Sequence, residues 1–517
     1  MDNKYIYNLG LRFYKVSETY SNRTALKYPS GEVHTYSELN KCSNQLAHFL
    51  LKKNIGKGDV IGILNNKSFD AYSLMLACVK IGAIYTNFDI TSPWQRISKI
   101  LSNCQPKIIF NDHENNLLIE DIKRECKVEV IEIFSEQFTS EIKTFTSTDL
   151  TEVSRSVNGS EPVYIMFTSG STGFPKGALM SHANVLNFIN WGQETFNVTP
   201  DDIFTNANPI YFDNSVFDFY TALFSGACLV PFSADITKNS QLLVQTVNET
   251  KCTIWFSVPS LLVYLLTTRA LKATDFNMLT HISFGGEGFP KPKLKQLFEL
   301  YGSRIKLFNV YGPTECTCIC SSYLISEKDF ENMSELAPLG YMAPNFGYEI
   351  LPVDENDKNC GELGLTGPNV GLGYYNDEER TAKSFVQNPN KKFFQRMYKT
   401  GDLVEKRSDG YIYFKGRVDN QIKHMGFRIE LEEVEAAINS LKYVNEAGVI
   451  YKKITADLGQ IMAFVSVNAS KTTDEIISDV KKILPPYMVP KQINILEVLP
   501  KNRNGKIDRK QLVEIIK

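Results

Sequence analysis

The residues best suited to chemistry lie in one stretch, Tyr164 to Gly177, reading YIMFTSGSTGFPKG. An apolar run with the character of a strand leads into a loop carrying Thr168, Ser169, Gly170, Ser171, Thr172 and Gly173, closed by Lys176. Such a loop offers backbone N–H groups, hydroxyls and a cation to phosphate oxygens. A surface loop rich in turn formers is the bland alternative, but four hydroxyls, the glycines Gly170, Gly173 and Gly177, and a lysine packed together favour a nucleotide site. A Walker A loop needs Gly before its Lys and Ser or Thr after it, whereas Lys176 sits between Pro175 and Gly177, which disfavours a P-loop kinase or ATPase.

The elements that must position this loop follow from periodicity. Helical spacing in Tyr36 to Lys52 and Asp70 to Ile81 alternates with apolar runs that read as strands at Val60 to Leu64 and Lys107 to Phe110. The alternation continues through Thr253 to Phe256, His281 to Phe284 and Lys306 to Val310. This implies an α/β class, with largely parallel, helix-flanked sheets. From about Gly340 the texture shifts to short strands with turn signals, as in Gly364 to Thr366, Gly401 to Glu405 and Gly410 to Lys415, which predicts a small β-barrel-like section. An α+β piece follows, with helices expected over Leu431 to Ser440 and Thr473 to Leu484 and strands over Ala447 to Tyr451 and Gln460 to Val467. The expected division is a body over 1–416, a hinge over 417–420 and a mobile C-terminal domain over 421–517. Cys316, Cys318 and Cys320 alternate, as on one face of a strand, and read as buried small hydrophobes rather than metal ligands.

Five motifs in order resemble the adenylate-forming enzymes, specifically the amino-acid adenylation domains of nonribosomal peptide synthetases and free-standing relatives such as D-alanine carrier-protein ligases. TSGSTGFPKG (168–177) resembles the phosphate loop and NVYGPTE (309–315) the adenine and magnesium motif. YKTGD (398–402) resembles the ribose motif, GRVDNQIK (416–423) the hinge and NGKIDRK (504–510) the catalytic-lysine motif. The sequence departs from the pattern at Met425, where an Arg is usual, and at Thr86 to Asp89, which replaces a valine-proline-isoleucine-aspartate run.

The resemblance implies ATP and Mg2+, an amino-acid substrate and a carrier-protein partner bearing phosphopantetheine. Forming an acyl adenylate brings a carboxylate to the α-phosphorus of ATP, so cations must converge on two anions. Lys506 would contact the substrate carboxylate; without its motif it would read as one of nine Lys or Arg, against three Asp or Glu, in the solvated tail 481–517. Lys176 would join it as a second catalytic cation, and Glu315 would hold Mg2+, a hard cation suited to carboxylate oxygen. Asn309, Tyr311, Gly312, Thr314, Gly285, Gly286 and Glu287 would surround the adenine and phosphate, with Asp402 and Arg417 at the ribose. Asp419 would be the pivot of the hinge and Gly426 would line the pantetheine tunnel.

Asp213, in YFDNSVFDFY, matches the Asp that binds the substrate's α-ammonium; capping of the following helix is the lesser alternative for an acid between aromatics. The side-chain pocket is assigned to Asn214, Phe217, Phe256, Ile282, Phe284, Val310, Cys318 and Ile319. That lining is mostly apolar and predicts a small or medium aliphatic amino acid. An acyl- or aryl-CoA ligase, which has no need of Asp213, is the main alternative; an ADP-forming kinase and a non-catalytic nucleotide-binding scaffold are weaker ones.

Composition narrows the setting. The 517 residues are 43 % hydrophobic and 22 % charged, which excludes wholesale disorder. Lys plus Arg (56) against Asp plus Glu (58) leaves −2, giving no electrostatic reason for a nucleic-acid or membrane-surface partner. The N-terminus lacks the apolar stretch of a signal peptide, no window reaches about 20 apolar residues, and ten cysteines are sparse, so a cytoplasmic location is expected.

Overall fold

The structure is a computed structural model that describes residues 5–114, 117–354, 357–454, 459–502 and 507–516. It divides into two compact units. The first comprises Met1–Phe88, Cys104–Met166 and Gly177–Val418; the second comprises Asp89–Asn103, Phe167–Lys176 and Asp419–Lys517.

Local signals account for the elements that open the first unit. Helix Tyr36–Lys52 begins at Thr35, whose side chain accepts from the Glu38 N–H while Glu38 reaches back, a reciprocal cap that satisfies two otherwise unpaired donors. Helix Phe69–Ile81 starts from Ser68 and stops at Gly82, which takes φ 75°. Strand Val60–Leu64 is buried at all five positions, as a central parallel strand covered on both faces must be.

Among the described residues the strands form three larger sheets. One has nine strands in the order Tyr341–Met342, Ser321–Leu324, Lys306–Tyr311, His281–Gly285, Ile254–Ser257, Ile203–Asn206, Cys228–Pro231, Thr24–Lys27, Val33–Thr35. Its interior pairings are parallel and its edge pairings antiparallel. A seven-stranded sheet carries Val60–Leu64 between Ile84–Asn87 and Ile108–Asn111, all parallel, and Pro162–Thr168 pairs with Ile84–Asn87. The section expected to be barrel-like is an antiparallel five-stranded sheet of Gly347–Pro352, Cys360–Thr366, Arg396–Lys406, Phe385–Gln387 and Ile412–Arg417; no pairing closes it into a ring among the described residues. One apolar core spans most of the first unit and a second lies around Trp255, Leu262, Ile282, Phe284 and Leu297.

In the second unit, hairpin Gln421–His424/Phe427–Glu430 leads into helix Leu431–Asn439 and a three-stranded sheet of Val444–Lys453, Gly459–Val467 and Gln492–Ile495. The hairpin turns on Met425 (φ 52°) and Gly426 (φ 82°), positive at both central positions as a tight antiparallel turn requires. Its own core gathers Ile429, Val434, Ile438, Val449, Val465 and Ile476.

One expected element is corrected. Cys316, Cys318 and Cys320 are all buried but do not lie on a strand: a short turn covers Thr314–Cys316, and the strand starts only at Ser321. Thr317 (φ 73°) and Cys318 (φ 123°) fold the chain back so closely that a Cβ on Gly312 would lie 2.1 Å from the Cys318 carbonyl oxygen.

Candidate active site

The first cluster forms where strand Lys306–Tyr311 ends. Tyr311 donates its hydroxyl to Asp402 Oδ2 at 2.6 Å, and the Arg417 guanidinium donates to Asp402 Oδ1. Asp402 and Arg417 are direct partners across strands Arg396–Lys406 and Ile412–Arg417, so the ladder itself fixes the pair. Burial, then the neighbouring Asp402 charge, pushes the Tyr311 phenol well above its ordinary range and keeps it a donor. Asn309, two residues earlier on the strand, gives its side-chain N–H to the Pro338 carbonyl at 2.7 Å. Gly285 lies opposite Val310, where a Cβ would come within 2.4 Å of the Val310 carbonyl oxygen, and Gly286 takes φ 98°. Glu287 accepts from the Ser260 N–H at 2.8 Å at the start of helix Pro259–Thr267.

Past Gly312 the chain turns, and two acidic residues receive hydroxyl donors. Thr314 donates to Asp213 Oδ2 at 2.6 Å. Asp213 directly precedes the short helix Asn214–Val216, yet its side chain makes no capping bond, so the helix-cap alternative is not what holds it. Glu315 is wholly buried, accepts the Tyr374 hydroxyl at 2.7 Å, and uses its own carbonyl to accept from Gly371. Neither Tyr374 nor the Thr314–Asp213 bond is signalled locally, since their partners are 59 and 101 residues away.

The residues assigned to the side-chain pocket do not all share one place. Phe217 and Phe256 meet edge to face at 5.4 Å and share a core with Val310, Cys318 and Ile319. The Asn214 side-chain nitrogen is buried without a hydrogen-bond partner among the described residues and would lie 3.9 Å from a Cβ on Gly286. Burial, with Asp213 and Asp218 adding to it, pushes the Cys318 thiol well above its usual range and keeps it protonated. Ile282 and Phe284 are a correction: both belong to the second core, where Phe284 packs on Phe289 at 4.8 Å. Phe256 is registered with Ser283, and alternation places Ser283 and Gly285 on its face of the sheet, with Ile282 and Phe284 on the other.

A buried polar group beside Phe217 carries no local sequence signal. Asp218, one residue past Phe217 in a turn of π-helix, is fully buried and accepts from Asn206 and Asn208 at 3.1 and 3.0 Å. Burial pushes its carboxyl up to about 7, opposed by those two donors and by Lys67, while burial brings Lys67 down to about 7.

In the second unit the Gly-rich loop is tightly held. A Cβ on Gly170 would collide with the Phe174 carbonyl oxygen at 1.9 Å, and Gly173 (φ 79°) donates back to Gly170 at 2.9 Å. Ser169 donates its hydroxyl to the Arg428 carbonyl at 2.8 Å, and the Gly170 N–H donates to Glu433 Oε2 at 2.9 Å. Lys176 pairs with Glu430 at 3.1 Å, and Glu433 also pairs with Arg96. Thr168 Oγ1 is buried without a partner among the described residues, while Ser171 and Thr172 are exposed. Asp419 opens the C-terminal segment and accepts from the Gln421 N–H at 3.2 Å. Lys506, with Asn504 and Gly505, lies outside the described residues.

Among the described residues no three His, Cys, Asp or Glu side chains group as metal ligands, and no helix is long and apolar enough to cross a membrane.

Comparison with known proteins gives a consistent result. The AMP-binding enzyme family matches residues 13–375, and the AMP-binding enzyme C-terminal domain matches 433–506. A D-alanine–D-alanyl carrier protein ligase of Lacticaseibacillus rhamnosus is 30 % identical over 512 residues, covering 96 % of this chain and 97 % of the relative. Bacitracin synthase 1 of Bacillus licheniformis is 33 % identical over 501 residues, 95 % of this chain but only 9 % of that much longer protein. In structure, the Vibrio cholerae adenylation domain AlmE, solved with glycyl-adenosine-5'-phosphate, superposes with a TM-score of 0.83 over 100 % of this chain and 99 % of AlmE at 23 % identity, a likeness of fold.

Proposed function

The chain belongs to the AMP-binding enzyme family, and we propose that it is an AMP-forming ligase that activates an amino acid with ATP and passes it to the phosphopantetheine thiol of a carrier protein. In the first half-reaction a carboxylate oxygen of the amino acid attacks the α-phosphorus of ATP. The bond from that phosphorus to the bridging oxygen breaks, and pyrophosphate leaves with the electron pair. In the second, the deprotonated carrier thiol attacks the acyl carbon of the adenylate, and AMP leaves.

The observation that carries this reading is the Thr314–Asp213 hydrogen bond of 2.6 Å. It ties a carboxylate suited to an α-ammonium group to the same turn that bears Glu315, which supports amino-acid selection next to the adenylation motif. Asp402, braced by Tyr311 and Arg417, suits the two ribose hydroxyls. The Tyr311 ring, Gly285 and Gly286 suit the adenine. Asn309 has committed its side-chain N–H to Pro338, which leaves its carbonyl oxygen as the group to accept from the base's exocyclic amine. Thr168, Ser169, the Gly170 N–H, Thr172 and Lys176 supply donors for the β- and γ-phosphates.

Glu315 fits Mg2+ in its chemistry, because that ion is commonly held by one or two carboxylates together with nucleotide phosphates, and no larger ligand cluster occurs among the described residues. Bound there, the ion would draw charge from the phosphates as pyrophosphate departs. Phe217, Phe256, Val310 and Ile319 favour a small or medium aliphatic side chain, with Asn214 as the polar wall. The two half-reactions need different groups at one adenylate, which supports a hinge over 417–420 about Asp419 between a body over 1–416 and a lid over 421–517. Lys506 would face the reacting carboxylate in the first step, and Gly426 the pantetheine in the second. Nucleotide product analysis tests the reaction class: AMP and pyrophosphate in equal amounts are expected, and ADP with inorganic phosphate would overturn it.

A further inference from the structure

The same three donors that suit a triphosphate are already engaged by oxygens of the C-terminal segment. The Ser169 hydroxyl goes to the Arg428 carbonyl, the Gly170 N–H to Glu433 and the Lys176 ammonium to Glu430. Two of these acceptors are carboxylates, and both Glu side chains are 5 % exposed, so this is a built arrangement and not a chance surface contact. Glu430 is further fixed by Gln421 at 2.7 Å, and Glu433 by Arg96. Nothing in local sequence signals the pairing, because the partners lie 254 and 263 residues apart.

We infer that Glu430 and Glu433 position the phosphate loop in the nucleotide-free enzyme by standing in for phosphate oxygens, so that this carboxylate pair and the β- and γ-phosphates of ATP compete for the same donors. The inference rests on the nucleotide-binding reading of the loop. Its consequence is directional: ATP must displace the two carboxylates to enter, and they recapture the loop once pyrophosphate leaves. Recapture withdraws the donors that pyrophosphate would need to return, which favours the second half-reaction over reversal of the first.

The test measures equilibrium binding of ATP, AMP and inorganic tripolyphosphate to the full chain by calorimetry, without amino acid, for the unaltered protein, Glu430→Gln and Glu433→Gln. Removing one competing charge is expected to tighten ATP and tripolyphosphate about tenfold, the scale of one charge-assisted hydrogen bond. AMP, which lacks the β- and γ-phosphates, should stay within about twofold. Glu433→Gln leaves the buried Arg96 without its carboxylate and could fail to fold, whereas Glu430→Gln leaves the Arg96–Glu433 pair intact and decides the question alone. Unchanged or weaker ATP binding by Glu430→Gln overturns the inference, as does an equal shift for AMP. If the unaltered protein binds neither nucleotide, the nucleotide reading falls and this inference falls with it.

Discussion

Tyr374→Phe is the substitution from which the geometry of the reacting centre can best be judged. It deletes one oxygen, and the ring that packs edge to face on Phe385 at 5.5 Å remains. What is lost is the donor 2.7 Å from Glu315 Oε1, where Glu315 is completely buried and Tyr374 nearly so. A hydrogen bond to a charged group contributes about 1.5–3 kcal/mol, and at 1.36 kcal/mol per factor of ten this corresponds to about 13- to 160-fold. If Tyr374 orients Glu315 toward Mg2+, the loss falls on metal use. The Mg2+ concentration giving half-maximal ATP–pyrophosphate exchange should therefore rise at least about tenfold in Tyr374→Phe, while the KM for the amino acid changes less than about twofold. Exchange followed over a Mg2+ titration at saturating amino acid makes the measurement, with calorimetric binding of Mg2+ plus a non-hydrolysable ATP analogue as a second readout. An unchanged Mg2+ dependence in a folded variant, or a loss confined to amino-acid affinity, would show that Tyr374 does not orient Glu315 for the metal.

Three further expectations concern other parts of the structure. Asp213→Asn should lower kcat/KM for the amino acid by about 160- to 5,000-fold, the scale of 3–5 kcal/mol for breaking a buried charge pair, with AMP affinity unchanged by calorimetry. Arg417→Met removes one of the two groups bracing Asp402 and should weaken AMP binding about tenfold or more while leaving the amino-acid preference in exchange assays unaltered. His182 is wholly buried and accepts the Leu9 N–H, and burial holds its imidazole down to about 3. Between that value and the unfolded value of 6.5 the unfolded chain binds a proton that the folded chain refuses, so this contribution is complete above pH 6.5 and is lost as pH falls. Moving from pH 7 to pH 5 should cost about 2 kcal/mol through this group, read as a denaturation midpoint that falls with pH and falls less in His182→Gln.

What could be read from sequence divides along physical lines. Strand Val60–Leu64 and helix Tyr36–Lys52 occur over the expected residues because each carries its own signal, an unbroken apolar run in one and a capped helical period in the other. The loop at 168–176 was legible for a similar reason: its glycines are required by contacts within the loop itself, such as Gly170 against Phe174. The side of strand His281–Gly285 that faces the expected pocket is not legible, because Ile282, Ser283 and Phe284 are buried alike on both faces: the apolar pair suggests a pocket lining, but it packs into the second core, and Ser283 and Gly285 share the face of Phe256. The cysteine alternation misled because a period of two in three residues fits a reversing turn as well as a strand, and only the left-handed backbone at Thr317 decides it. The bonds that brace the site were hidden in another way. Tyr374 to Glu315, Tyr311 to Asp402 and Gly170 to Glu433 join residues 59, 91 and 263 apart, and the fold alone brings them together.

If Asp213 confers amino-acid activation, ATP–pyrophosphate exchange across a panel of L-, D- and β-amino acids, together with simple fatty and aryl acids, reports it. Exchange should require an amino acid, be strongest for a small or medium aliphatic one, and spread over neighbours differing by a methylene within about 10- to 200-fold. Exchange driven by a fatty or aryl acid lacking an α-ammonium group, with none from any amino acid, would contradict it.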